Sequence, residues 1–311
     1  MSQPGEPSLA VSLGRQRPVE LQNPVIAASG TFGYGLEYAG HLDLKALGGL
    51  VTKGVSLKPR AGNPPPRICE TAAGMLNAIG LANVGLEVFL RDKLPALLPY
   101  GVPVVVNLYG ESVEEFVALA RALDGAPGVA ALELNVSCPN VKEGGMAFGC
   151  HPGPVGEITA LVRAATNLPL WVKLTPNVAD PVPMAKAAQA AGADAVCLIN
   201  TLLGMAIDAR RRCPRLGNIV GGLSGPAIKP VGLRMVWQVA RAVDIPVVGM
   251  GGIVSGEDAA EYLLAGASAV QVGTANFLDP AACLKVAQGL RDFCRQEDIA
   301  DVNELVGGLR I

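Results

Sequence analysis

The chain has 311 residues and a formal net charge of -2; half its residues are hydrophobic and 17% are charged. Such a composition buries a large core and excludes a disordered chain, and the length suits one large α/β barrel as readily as two small domains. The near-neutral charge excludes an extended nucleic-acid surface, since the short run Arg210-Arg211-Arg212 stands alone and reads as a solvated loop; a small-molecule substrate is expected.

In chain order, Met1 to Leu9 is polar with two prolines and does not read as a signal peptide. From Pro24 onward short apolar runs alternate with longer helical patterns. The runs cover 25–29, 50–54, 103–108, 131–136, 170–174, 195–200, 246–250 and 269–273. Each is rich in Val, Ile and Leu and nearly continuous, the pattern of strands buried on both faces. The spacing predicts helices over 112–123, 153–166, 181–191, 226–242, 256–265 and 280–295, the first with Ser112 as N-cap and Glu115 completing a capping box. Strand and helix repeated to a count of eight predict a (β/α)8 barrel in one domain, 1–311. A doubly wound open sheet is the competing fold, but its Gly-x-Gly-x-x-Gly turn is missing after the first run.

Internal echoes support the repeat. Three runs open after X-Pro, at Pro103, Pro169 and Pro246, and two follow Ala-Gly-Ala, at 191–193 and 265–267, where the glycine predicts a helix C-cap. Two connections exceed an ordinary loop: 56–85, with Pro64-Pro65-Pro66, and 201–225, with Gly221-Gly222. Long loops at the C-terminal face of a barrel commonly carry function.

The seven cysteines include no C-x-x-C pair, and His41 and His151 are the two histidines, so neither a metal site nor a disulfide framework is expected. Scattered thiols suit a reducing cytosol, and no apolar run approaches the ~18 residues of a membrane span. A soluble, cytoplasmic protein is expected.

The strand ends carry the chemistry. In order they offer Ser29-Gly30-Thr31, Thr52-Lys53-Gly54, Asn107, Asn135, Lys173, Asn200-Thr201, Gly249 to Gly252, and Gly273-Thr274. Lysines and amides closing apolar strands are costly to bury unless paired, so their recurrence predicts a ligand site. Gly251-Gly252 and Gly273-Thr274 follow the seventh and eighth strands, where barrels of this kind bind phosphate. With no acidic cluster for Mg²⁺, a phosphorylated aromatic cofactor fits better than a metal-bound nucleotide. Lys173 would then stabilise negative charge that develops on the ring during reduction.

The fourth strand runs into Glu133-Leu-Asn-Val-Ser-Cys-Pro-Asn140. Pro139 lacks an N–H and ends the ladder, leaving the Cys138 thiol just past the strand's C-terminal end. A free cysteine commonly packs as a small hydrophobe, but Asn135, Ser137 and Asn140 make this neighbourhood too polar for packing alone. The following Gly144-Gly145-Met-Ala-Phe-Gly149 is a candidate mobile cover.

The motifs Asn77-Ala-Ile-Gly-Leu81, Asn135-Val-Ser-Cys-Pro-Asn140, Gly249-Met-Gly-Gly252 and Val272-Gly-Thr-Ala275 resemble those of class 1 dihydroorotate dehydrogenases, in order, from about Asn23 to Pro280. Asn200-Thr-Leu-Leu-Gly-Met205 and Gly221-Gly-Leu-Ser-Gly225 resemble the class 1B catalytic subunit. Class 2 enzymes have serine in place of Cys138 and a membrane-associating N-terminal extension. The resemblance implies FMN and oxidation of dihydroorotate to orotate in pyrimidine biosynthesis. It implies FMN contacts at Ser29, Lys53, Gly54, Asn107, Asn135, Lys173, Ile199, Gly225, Gly251, Gly252, Gly273 and Thr274. It implies orotate contacts at Lys53, Asn77, Ala78, Ile79, Gly80, Leu81, Asn135, Asn200 and Thr201. By the same resemblance Cys138 removes a proton from C5 while hydride passes from C6 to the flavin, and 141–148 closes over the substrate. It also implies a homodimer core joined by an electron-transfer subunit with FAD and an iron–sulfur cluster, a heterotetramer passing electrons to NAD. A dihydropyrimidine dehydrogenase-like FMN barrel and a non-catalytic flavin-binding barrel are the alternatives.

Overall fold

The computed structural model describes residues 6–14, 16–137, 142–143 and 146–311. Eight parallel strands close a barrel in sequence order: β1 (Val25–Ala27), β2 (Gly49–Val51), β3 (Val104–Leu108), β4 (Val129–Asn135), β5 (Leu170–Lys173), β6 (Ala195–Leu198), β7 (Val247–Met250) and β8 (Ala269–Val272). Each falls on an expected run, because an unbroken Val/Ile/Leu stretch is stable only where both faces are covered. The longer helices outside are α1 (Val113–Leu123), α2 (Pro152–Arg163), α3 (Val182–Ala190), α4 (Lys229–Ala240), α5 (Gly256–Leu264) and α6 (Ala282–Gln296), with short helical turns such as Gly85–Val88 and Leu94–Leu97 between β2 and β3. Their apolar stripes, such as Phe116, Leu119 and Leu123 on α1, are buried against the barrel.

The helix ends follow from local chemistry. Both Ala-Gly-Ala segments form the same cap. Gly192 and Gly266 adopt φ of 92° and 108°, which glycine reaches without a Cβ penalty. The next amides, of Ala193 and Ala267, donate back to Ala188 O and Tyr262 O at 3.0 Å. At α1 the expected capping box is only half formed. Ser112 Oγ accepts the Glu115 N–H, but Glu115 Oε2 accepts the N–H of Glu111 at 2.7 Å rather than that of Ser112. Between β1 and β2 the chain makes only short 3₁₀ turns, Leu36–Tyr38 and Leu44–Ala46.

The two ends of the barrel differ. At the N-terminal end, strands Val11–Leu13 and Val19–Leu21 form a hairpin with alternating buried residues, and Arg17 reaches Asp194 just before β6. At the C-terminal end, the two long connections are not irregular loops. Ile68–Thr71 and Gly74–Asn77 from the first pair with Val220–Ser224 and Leu202–Met205 from the second in one antiparallel four-stranded sheet. Its register sets Leu203, Gly222, Asn77 and Ile68 in one row across the strands. Gly222 sits in that row because a Cβ there would strike the Thr201 side chain. Among the described residues, no helix is long and apolar enough to cross a membrane.

Candidate active site

The strand ends and the accessory sheet enclose a cavity of about 630 Å³, within the usual size of a small-molecule site. Every cofactor and substrate residue implied by the resemblance lines it, while the strand-end residues Thr52 and Gly249 do not, and Cys138 lies outside the described residues. The cofactor set (Ser29, Lys53, Gly54, Asn107, Asn135, Lys173, Ile199, Gly225, Gly251, Gly252, Gly273 and Thr274) and the substrate set (Asn77 to Leu81, Asn200 and Thr201) share this one space. Of the proposed cover, Lys142–Glu143 pairs antiparallel with Met146–Ala147, while Val141, Gly144 and Gly145 also fall outside the described residues.

At the β7 and β8 ends the backbone is shaped for a close ligand. Gly225, Gly251 and Gly252 adopt φ of 92°, 121° and 74°. A Cβ on Gly252 would sit 2.7 Å from Lys229 Cβ, and one on Gly225 would sit 2.7 Å from Gly74 Cα. Tyr262 on α5 fixes this turn by donating its hydroxyl to Gly251 O at 2.7 Å. Thr274 Oγ1 and Ser224 Oγ lie 2.8 Å apart and tie the β8 end to the accessory sheet. Gly273 is under no such steric demand; a Cβ there would make only ordinary contacts.

The two lysines differ. Lys173 closes β5, is buried, and lies 3.4 Å from Glu133 Oε1. Glu133, fully buried inside the barrel, also accepts from Asn107 Nδ2 at 2.6 Å and Gln271 Nε2 at 2.7 Å. The Cys197 thiol beside it has its pKa pushed well up, chiefly by burial and then by the Glu133 carboxylate. Lys53 forms no hydrogen bond or ion pair with any described residue through Nζ. Its pKa is lowered, first by burial, against the pull of Glu37 and with a push from Arg67. An ammonium lining a cavity without a contacting counter-ion is suited to an anionic ligand.

On the other side of the cavity a short chain of hydrogen bonds joins the ends of β4 and β6. Asn200 Nδ2 donates to Ser137 Oγ and Ser137 Oγ donates to Asn135 Oδ1, each at 2.5 Å. Ser137 immediately precedes Cys138 in the sequence, so the backbone entering the cysteine is anchored to two strand ends. The Asn77 to Leu81 loop is braced from behind: Asn63 N–H donates to Ile79 O, and Asn63 Nδ2 to Ala78 O, both at 3.0 Å. Leu81 holds φ of 59°, a backbone conformation that residues other than glycine rarely adopt and that is found where surroundings enforce it.

Residues 16–294 match the family described as "Dihydroorotate dehydrogenase". The chain belongs to the dihydroorotate dehydrogenase family. It is 57% identical over 306 residues to the "Dihydroorotate dehydrogenase B (NAD(+)), catalytic subunit" of Geotalea daltonii, covering 98% of this chain and 99% of that one. The proteins of the same name from Geobacter sp. (strain M21) and Geobacter metallireducens are 57% and 55% identical, covering 94% and 98% of this chain and 96% and 99% of theirs.

Two residues of the site escaped the sequence reading. Glu133 enters there only as the start of the stretch that leads to Cys138, and Gln271 is hidden within the last run. The available signal was a charge mid-strand in a strand buried on both faces, since such a charge requires partners inside the barrel.

The cavity fits a flavin mononucleotide. Gly225, Gly251 and Gly252 provide the cradle that a Cβ would fill, and Ala28, Ile199, Met250 and Ile253 provide an apolar wall. Gln271 also lines the cavity, and its Oε1 is buried with no hydrogen-bond partner among the described residues. A buried acceptor of that kind is costly unless a ligand donor meets it.

Proposed function

We propose that the chain is the catalytic subunit of an NAD-linked dihydroorotate dehydrogenase, a single FMN-binding barrel domain over 1–311 in the cytoplasm. It oxidises dihydroorotate to orotate in pyrimidine biosynthesis. The observation that carries this reading is the convergence of Lys53, Asn77, Asn135 and Asn200 with the glycine cradle on one cavity. Full-length similarity to catalytic subunits of that name supports it.

Gly225, Gly251, Gly252, Gly273 and Thr274 would hold the FMN phosphate through backbone N–H groups and a hydroxyl. Ser29, Gly54, Asn107 and Ile199 line the remainder of its site. Bound FMN supplies the two-electron acceptor. Lys173 would place positive charge beside the electron-accepting ring of bound FMN. Lys53 receives the substrate carboxylate, and the amides of Asn77, Asn135 and Asn200, with Thr201 and the Ala78 to Leu81 backbone, fix the pyrimidine ring. Cys138 takes the proton from C5 as general base. The test is orotate formation from dihydroorotate by FMN-loaded chain with an artificial electron acceptor; absence of product contradicts the reading.

Lys53 gives a pH dependence with a fixed sign. Burial disfavours its ammonium form, so charge is lost as pH rises through a value below the ordinary ~10.4 of lysine. Orotate affinity should therefore weaken with alkaline pH earlier than an unperturbed lysine would allow, while Lys53→Met should bind orotate weakly throughout. Titration of orotate against pH reads this, and wild-type affinity flat across the alkaline range contradicts it.

The route to NAD lies on a partner. The chain contains no C-x-x-C pair and no Gly-x-Gly-x-x-Gly turn after its first strand. A homodimer core joined by subunits carrying FAD and an iron–sulfur cluster, a heterotetramer, supplies that path. The isolated FMN-loaded chain should form orotate with an artificial acceptor yet reduce NAD⁺ negligibly; rapid NADH formation by the homogeneous chain contradicts the division of labour.

A further inference from the structure

The barrel interior holds a carboxylate to which the reaction above assigns no role. Glu133 comes from β4 and gathers donors from three other strands: Asn107 Nδ2 of β3 at 2.6 Å, Lys173 Nζ of β5 at 3.4 Å and Gln271 Nε2 of β8 at 2.7 Å. All four side chains are nearly or fully buried, and Asn107, Lys173 and Gln271 line the cavity while Glu133 stands behind them. A carboxylate whose contacts are all donors acts as acceptor only. It therefore dictates which way each amide faces. Both Asn107 and Gln271 must turn their NH₂ groups toward Glu133, and the Gln271 oxygen is left without a partner.

This arrangement has an electrostatic consequence. Lys173 alone would favour a reduced, more negative ring strongly. Glu133, in contact with the same ammonium, offsets part of that field in an interior where screening is weak. We propose that Glu133 is a positioning residue that holds Lys173, Asn107 and Gln271 in their ligand-facing orientations and, through its charge, lowers the reduction potential of the bound flavin. The proposal rests on the reading of this cavity as an FMN site.

The test is the equilibrium between oxidised and reduced FMN bound to the intact chain, measured anaerobically against a reference dye after free FMN has been removed. Glu133→Gln keeps the side-chain size and removes the charge. It should raise the reduced-to-oxidised ratio at a fixed dye potential at least tenfold, which for a two-electron couple is about 30 mV. Glu133→Asp keeps the charge and should stay within threefold of wild type. A merely structural role predicts the reverse: both variants lose flavin or stability and the ratio stays put. Glu133→Gln alone leaves Lys173 buried without its counter-charge, which threatens folding. If it does not fold, the comparison is Lys173→Gln against the double variant Glu133→Gln/Lys173→Gln, with the same tenfold rise expected on loss of the carboxylate. A ratio within threefold across either comparison overturns the inference and leaves the FMN reading standing. A wild-type chain that takes up no flavin overturns both.

Discussion

Replacing Cys138 with alanine should slow flavin reduction by dihydroorotate by at least ~10²-fold, the low end for loss of a general base, while FMN and orotate binding stay nearly intact. Binding is assigned to other groups: Lys53, the amides of Asn77, Asn135 and Asn200, and the glycine backbone, all on the cavity wall. The Asn200–Ser137–Asn135 hydrogen bonds that anchor the approach to Cys138 do not involve its side chain. Cys138→Ser should also be slow near neutral pH, because an unassisted hydroxyl is a poorer base than a thiol, and should recover partly as pH rises. In the wild type, the reduction rate should climb with pH through one ionisation as the thiol becomes thiolate. Stopped-flow bleaching at saturating dihydroorotate across pH measures this. An alanine variant within about threefold of wild type overturns the base assignment.

Lys173→Ala should remove both a functional charge and a structural one. From the sequence, a lone lysine closing an apolar strand makes this a functional lesion on an intact fold. The structure adds a second cost, because Glu133 is fully buried and would lose its ammonium partner. Breaking a buried pair by removing one member costs roughly 3–5 kcal/mol. The variant should unfold at lower denaturant with an unchanged slope, hold FMN weakly, and reduce the retained flavin much more slowly. Wild-type stability would show that Glu133 does not depend on Lys173. Wild-type flavin content and reduction rate would refute the role of the lysine at the ring.

The barrel was legible because each of its strands is an apolar run bounded by glycine, proline or a strand-end polar group. The residues at those ends were legible for the same reason: Lys53, Asn107, Asn135, Lys173 and Asn200 each interrupt hydrophobicity at one place in the repeat. The accessory sheet was not. Its strands are four or five residues long and include glycines such as Gly74, Gly204 and Gly222, and its two halves meet across more than a hundred residues of chain. The Glu133 network was hidden by distance as well; its partners lie 26, 40 and 138 positions away. A charge inside an apolar strand announces that partners exist, but only closure of the barrel identifies them. The half-formed capping box at α1 is a smaller case. Ser112 and Glu115 have the right spacing, yet the Glu111 N–H competes successfully for the Glu115 carboxylate.

The most direct test of the whole account is anaerobic addition of dihydroorotate, or of NADH, to the purified chain loaded with FMN. A yellow protein is expected, with a visible flavin band that is bleached by dihydroorotate and left unchanged by NADH. A chain that shows no flavin band even after FMN is supplied, or one bleached by NADH and not by dihydroorotate, would contradict it.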